Sequence, residues 1–369
     1  MFLAAFALYA LTAQRGLGWG DSGQFQNWIL GGADVFSLGE SFSNLHPAYI
    51  YLSRIAAHSP FAINIVSAFF GALAVAGLYL ATRSLVATIL FALSHVLWWL
   101  SCVAEVQTMS LAFTVFGALA FIRWIETRND RWFVVAAFIS GLHLECHNFA
   151  LLALPVYGVA ALVRRLGIKA AVLSAFAFFL GAAFWIKAVF ERGIADVLVG
   201  SYGAKVAGIL PASWSIAAFN IFLAALSFTP PLLLLWLSRK DPKPASPATP
   251  WILALLGINA LFFARYFVPD QFTFALPTLF FVWLIASRSA ISRTRAAALT
   301  AIEIVLPVAA YLILTQLPND HERTLRHPFR DDAAYFALPW KFNEDSAGRA
   351  ALLFDEPWDG YNAERSVSK

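Results

Sequence analysis

Nine side chains able to move protons or bind polar groups interrupt an otherwise apolar chain: Asp21, Asp34, Glu40, His46, Glu105, His143, Glu145, His147 and Asp270. A carboxylate can take a proton from an attacking hydroxyl, and an imidazole can hold a polar ligand near neutral pH. Asp21 lies in Gly20-Asp21-Ser22-Gly23, where glycines permit a tight turn. The pattern fits a catalytic carboxylate, and equally an Asx-turn or cap ahead of a helix over 24–30. His46-Pro47 starts a helix most simply, because proline suits a first turn. Glu105 follows Trp98-Trp99-Leu100-Ser101-Cys102-Val103-Ala104, whose tryptophans fit an interfacial belt, but no Lys or Arg neighbours the carboxylate in sequence.

On a helix, His143 and His147 share a face while Glu145 points elsewhere, so the H-E-x-x-H spacing of zinc hydrolases is not met. Hydrogen bonding of a polar substrate by His147 and Asn148 is expected, with no metal; a divalent ion is the lesser alternative. Arg265, just before Tyr266-Phe267-Val268-Pro269-Asp270, suits a lipid phosphate, an ion pair with Asp270 or a snorkelling anchor. His95 and Glu303 fall inside apolar runs and take no assigned role.

These residues must be positioned by membrane helices. The 369 residues are 60% hydrophobic and 13% charged, against roughly 25% charged in soluble domains; the mean hydropathy is +0.68. Apolar runs at 1–13, 61–81, 85–101, 106–124, 132–147, 149–163, 168–189, 214–237, 251–267, 272–287 and 296–317 predict an all-α integral membrane protein with about eleven transmembrane helices. The breaks at Thr82-Arg83-Ser84 and Asn148 predict tight hairpins. The pI near 9.1 does not point to nucleic acid, because the basic residues lie between apolar runs without interleaved aromatics. Cys102 and Cys146 are too few for a disulfide framework and read as buried thiols.

Charge orients the chain. With the N-terminus cytoplasmic, five compact inner loops hold thirteen Lys and Arg residues, and the longer outer segments before the tail hold six. The first loop, 18–60, is then extracytoplasmic, and all nine chemistry-bearing residues fall on that side. The membrane domain runs over 1–317. Residues 318–369 form a short, charged extracytoplasmic tail, in which 349–354 read as a strand; it packs on the membrane part or begins a longer soluble domain. Residues 240–250 are a Pro-rich linker.

Gly20-Asp21-Ser22-Gly23, Asn44-Leu45-His46-Pro47, Ala104-Glu105-Val106, Gly141-Leu142 through His147-Asn148, and Pro269-Asp270 with Pro277 resemble a family of multispanning GT-C glycosyltransferases related to protein O-mannosyltransferases. The resemblance covers 17 to about 150 well and 266–277 less fully. Gln24, Ala48 and Tyr49 depart from the family pattern. The resemblance implies a sugar on a polyprenyl phosphate as donor, transferred with inversion to a hydroxyl of a protein, glycan or lipid at the outer face of the plasma (inner) membrane. Asp21 would be the general base and Arg265 would meet the phosphate. Ser22, His46, Glu105, His147, Asn148 and Asp270 would shape the substrate pocket, and no cofactor is required. A rival expectation is a transporter or flippase for a lipid-linked or small polar solute. It needs polar groups near mid-membrane and related halves, and no internal repeat is visible.

Overall fold

A computed structural model describes residues 1–18, 20–39, 41–198, 214–237, 246–266, 268, 270–289, 292–316 and 335–341. Among them there is no strand. The first helix, α1 (Phe2–Thr12), leads into a folded cap made of α2 (Gly20–Leu30), 3-10 turns at Val35–Ser37 and Phe42–Asn44, α3 (Pro47–Ser53) and a 3-10 turn at Arg54–Ala56. Then follow α4 (Pro60–Thr82), α5 (Leu85–Leu93), α6 (His95–Ser101), α7 (Gln107–Thr127), α8 (Arg131–Cys146), α9 (Ala150–Val163), α10 (Ile168–Gly181), α11 (Ala183–Arg192) and α12 (Ile194–Leu198). The described chain resumes with α13 (Trp214–Leu237), α14 (Thr249–Arg265), a 3-10 turn at Gln271–Ala275, α15 (Leu276–Ala286) and α16 (Arg293–Leu314).

Local chemistry explains the helix starts. The Ser59 and Ser84 hydroxyls accept the backbone N–H of Ala62 and Ala87, and Pro60 occupies a first-turn position that needs no donor. Each expected apolar segment coincides with a helix or an interrupted helix. By length and composition α4, α7, α13 and α16 suffice to cross a bilayer, and the pair α10–α11, bent by 70°, is a broken fifth span or a re-entrant loop. The remaining segments are shorter or broken. The run 85–101 divides at Ser94, which is extended, and the Val96 N–H freed there donates to Ser227 on α13 at 2.8 Å. At the α10–α11 bend, both Glu145 oxygens accept the Trp185 N–H, at 3.0 and 3.1 Å. That carboxylate is spent on the first turn of α11, where an anion suits the helix dipole.

Ile168, Val172, Phe176 and Phe179 leave an exposed apolar stripe along α10, and Leu312 and Ile313 are likewise exposed on α16. Such surfaces need lipid, and the chain is an integral membrane protein. Inside, α8 packs most extensively on α10 and α7, and α4 on α7 and α1. One large core joins α1, α4, α7 and α8, and a small cluster with Leu144 and Phe178 joins α8 to α10. A second core, built from Phe25, Ile29, Leu45 and Tyr49 against Ile63, Val66 and Met109, seats the cap on α4 and α7. The segment expected as a loop is therefore folded and has its own core.

Both cysteines are free and buried. The expected strand at 349–354 lies outside the described residues. The part of the tail that is described, 335–341, packs on the membrane helices: the Lys341 N–H donates to the Thr12 carbonyl at 2.8 Å.

The α8–α10 crossing is a backbone-to-backbone approach. A Cβ on Gly141 would lie 2.2 Å from the Phe178 carbonyl oxygen, and one on Gly181 2.6 Å from that of Phe138. Small residues permit such contact in membranes, where apolar burial alone does not drive helices together. Gly141→Ala should lower the thermal unfolding midpoint in detergent, at a cost of about 1–3 kcal/mol. Gly158→Ala, where a Cβ meets open space, should be neutral or slightly stabilising. Equal behaviour of the two variants would discount the crossing.

Candidate active site

Gly20-Asp21-Ser22-Gly23 is not a turn. It is the first turn of α2, which starts four residues ahead of the expected Gln24. Residue 22 then faces inward and residue 21 outward. The buried Ser22 hydroxyl donates to Glu105 Oε1 at 3.0 Å, while Asp21 is exposed. Glu105 sits in the connection between α6 and α7. Its backbone is fastened to α4, with the N–H donating to the Ser67 hydroxyl at 3.0 Å and the carbonyl accepting from that hydroxyl at 3.1 Å.

Pro47 takes the first position of α3, as expected, and His46 before it has left-handed backbone at φ 50. This is uncommon for a residue with a Cβ and is found where surroundings over-determine it. Here the surroundings are visible. His46 Nδ1 donates to the Cys146 carbonyl at 2.8 Å, the ring packs edge-on to Phe25, and it stacks on His147 at 5.0 Å between centroids. A carbonyl only accepts, so His46 carries its proton on Nδ1 and leaves Nε2 as an acceptor. His147 is the opposite tautomer: its Nδ1 accepts the Phe149 N–H at 3.1 Å, leaving Nε2–H as a donor.

These groups line one cavity of about 310 Å³, at the small end for ligand pockets and suited to a sugar-sized group. Asp21, His46, Glu105, His147, Asn148 and Asp270 all line it. Ser22 stands behind Glu105. Gln24, Asn44, Gln107 and Tyr266 complete the polar lining, and Phe149, Leu152, Phe262 and Phe274 form an apolar wall. Gln107 is an addition to the expected set, one residue past Ala104-Glu105-Val106. It is buried, and its amide oxygen has no hydrogen-bond partner, which leaves it for a ligand. Nothing in its residue type or position distinguishes it before the fold is known.

The other expected residues divide. Asn148 is largely engaged by the protein: its amide donates to the Val197 carbonyl at 2.9 Å and accepts from Trp185 Nε1 at 3.2 Å. Arg265 is exposed at the end of α14 and does not line the cavity, because the helix phase turns it away from Tyr266 and Asp270. Among the described residues it makes no ion pair with Asp270. His143 is buried between α7 and α8, 2.7 Å from the Ser110 hydroxyl. Asp34 caps the Val35–Ser37 turn and accepts from Tyr51. Glu40 lies outside the described residues. Groups of three or more potential metal ligands are absent among the described residues.

Electrostatics set the carboxyl groups apart. Burial, then the nearby Asp21 and Asp270 charges, push Glu105 well above the usual carboxylate range. Burial raises Asp270 to about 6, and burial holds His46 down to about 4, hence neutral. No Lys or Arg lines the cavity among the described residues. The site therefore brings an exposed Asp21 beside a Glu105 whose neutral form is favoured and a neutral His46 imidazole. Carboxyl groups in unlike environments side by side can take unlike protonation states.

Comparison with known proteins follows the same lines. Residues 81–167 match the family model of the protein O-mannosyl-transferase TMEM260 N-terminal domain. The fold is similar to that of ArnT from Cupriavidus metallidurans bound to undecaprenyl phosphate, with a TM-score of 0.60, 15% identity, and coverage of 99% of this chain and 74% of ArnT. The apo state of the same protein gives a TM-score of 0.58 at 14% identity, covering 99% and 75%. The architecture is thus ArnT-like. Proteins of curated function give no significant sequence match.

The Asp270 shift carries a stability consequence. A pKa raised on folding means the native state keeps a proton that the unfolded chain has lost. That contribution is full below the ordinary aspartate value and is lost as pH rises through about 6. The unfolding midpoint in detergent should fall between pH 4 and 7, and Asp270→Asn should flatten part of that fall. A mutant profile parallel to wild type would show that Asp270 titrates normally.

Proposed function

We propose that the chain is a membrane glycosyltransferase that moves a sugar from a polyprenyl-phosphate donor to an acceptor hydroxyl with inversion, using Asp21 as general base. The observation that carries this reading is the convergence of Asp21, Glu105, Asp270, His46 and His147, from five separate stretches of chain, on one sugar-sized cavity. ArnT has been seen bound to undecaprenyl phosphate, which supports a polyprenyl-phosphate partner for a chain of the same fold. The O-mannosyl-transferase model over 81–167 supports transfer to a hydroxyl.

In this reading the acceptor oxygen attacks the anomeric carbon as the bond from that carbon to the phosphate oxygen breaks. The lipid phosphate leaves with the bonding electrons, and the hydroxyl proton passes to Asp21. Glu105, kept protonated, donates to a sugar oxygen. His147 Nε2–H and the Gln107 amide fix other hydroxyls, and Asn44 and Asn148 line the same space. Phe149, Phe262 and Phe274 face the apolar side of the sugar or the first prenyl unit. Arg265, exposed and outside the cavity lining, could meet the phosphate only if that group lay outside the cavity. The reaction needs no cofactor and no metal. With eleven crossings and a cytoplasmic N-terminus, the cavity opens on the extracytoplasmic side of the plasma membrane, and the acceptor is a protein, glycan or lipid presented there.

The purified protein in lipid vesicles should consume a polyprenyl-phosphate-linked sugar, and the lipid-linked species that co-purifies identifies the sugar. Asp21→Asn should lower turnover about 10²–10⁴-fold with donor binding retained. Gln107→Ala should weaken donor or acceptor affinity more than turnover. Activity unchanged by Asp21→Asn would remove the base assignment. Passage of the intact lipid-linked sugar across the bilayer, with no bond broken, would favour a flippase instead.

A further inference from the structure

The segment 335–341, near the end of the described chain, is held more tightly than a linker needs. The Trp99 indole N–H donates to the Tyr335 carbonyl at 3.2 Å. His95 Nε2, as donor, reaches the Phe336 and Ala337 carbonyls at 2.8 and 3.0 Å. Lys341 closes on the Tyr335 carbonyl and, through its backbone N–H, on Thr12. Tyr335, Ala337 and Lys341 are each at most 2% exposed. His95, an ionisable residue inside a membrane helix, thereby has a defined partner: the carbonyls of this segment.

From Tyr335 a chain of buried amides runs to the helix that carries Asp21. The Tyr335 hydroxyl donates to Gln14 Oε1 at 3.4 Å, and Gln14 Nε2 donates to the Leu17 carbonyl at 2.6 Å. The Gln14 backbone carbonyl accepts from Asn64 Nδ2 at 2.9 Å, Asn64 Oδ1 accepts from Gln26 Nε2 at 3.0 Å, and Gln26 Oε1 accepts the Gly18 N–H at 2.8 Å. Gln14, Gln26 and Asn64 are all 0% exposed. Gln26 lies one turn beyond Ser22 on α2, so the network grips the face of α2 opposite the cavity. Buried amides with every group matched rigidify their surroundings, and a broken link leaves its neighbour unsatisfied in a low dielectric. Packing alone would not need three buried amides here.

We infer that residues 335–341 are an intramolecular strut that positions Asp21, with Tyr335, Gln14, Asn64 and Gln26 as positioning residues acting through α2. None of the four lines the cavity, so none touches the reacting atoms. The strut makes the tail part of the site, and whatever pulls on the chain beyond residue 341 acts on the placement of the base. The geometric part stands without any assigned activity; the kinetic part rests on the transferase reading.

The test uses the full chain in lipid vesicles and the variants Tyr335→Phe and Asn64→Leu. Hydrogen exchange should quicken about tenfold or more in the amides of 17–26 in both variants, with those of α9 unchanged. On a polyprenyl-phosphate-linked sugar, kcat should fall on the order of tenfold, as expected for a small displacement of a catalytic group, with KM for the donor within about twofold. The double variant should be no slower than Asn64→Leu alone, since both cut one path. Exchange in 17–26 that stays at the wild-type rate in Tyr335→Phe, while the amides of 335–341 loosen, would overturn the strut. So would rate effects that simply add. If exchange responds as stated and even the wild type consumes no polyprenyl-linked sugar, the strut stands and the transferase reading falls.

Discussion

The hydrogen bond from the Ser22 hydroxyl to Glu105 is the joint on which the site depends. It ties α2, in the cap, to the connection between α6 and α7, in the membrane domain, across 83 residues of sequence. On one side of the joint the Phe25, Leu45 and Tyr49 core presses the cap onto α4 and α7. On the other, Ser67 holds the Glu105 backbone from α4. Because Ser22 must point inward to reach Glu105, the adjacent Asp21 points out of the helix packing and into the cavity. A single serine orientation thus decides which carboxyl is open and which is buried.

The second constraint is like charge in a poorly solvated place. Asp21, Glu105 and Asp270 cannot all be ionised cheaply when no Lys or Arg among the described residues shares the cavity wall. Burial and the neighbouring carboxylates push Glu105 well above the usual carboxylate range, while burial raises Asp270 only to about 6, so identical functional groups acquire different roles. The histidines follow the same logic. Neutral, and held in opposite tautomers by the Cys146 carbonyl and the Phe149 N–H, they present one acceptor and one donor to the same space. Stacking two protonated rings at 5.0 Å would be costly; stacking two neutral ones is not.

How much of this is legible in the sequence follows the range of the interactions involved. Hydropathy over some twenty residues is local, and every apolar segment meets a helix. The interruptions are not local. The break at Ser94 is stabilised by Ser227, 131 residues from the Val96 N–H it accepts, and the α10–α11 bend by Glu145, 40 residues from the Trp185 N–H it accepts. The gathering of Asp21, His46, Glu105, His147 and Asp270 around one cavity is what counting helix ends anticipates, because each lies at a helix end. Gly20 and Gly23 read as a turn on their own, yet packing of Ser22, Phe25 and Gln26 makes them helical. Arg265 reads as a site residue by position, but a side chain's direction depends on helix phase, and one residue separates it from the cavity-lining Tyr266. Gln107 is invisible beforehand because an amide declares its role only through the absence of a partner.

The rival reading as a transporter turns on where polar groups are open to a ligand. Transport requires them near the middle of the bilayer, at interrupted helices. Interrupted helices are present here, but their freed groups are met: Val96 by Ser227, the first turn of α11 by Glu145. His95 is engaged by carbonyls of the 335–341 segment and His143 by Ser110. Glu303 is buried within α16, its oxygens without hydrogen bonds, and does not line the cavity. Among the described residues, the polar groups left open to a ligand gather on the cavity lined by Asp21, His46, Glu105, Gln107, His147 and Asp270. Carrying a solute asks for binding groups with two exits, whereas breaking a bond asks for an acid and a base on one side of it, and in the proposed reading Glu105 and Asp21 are those two.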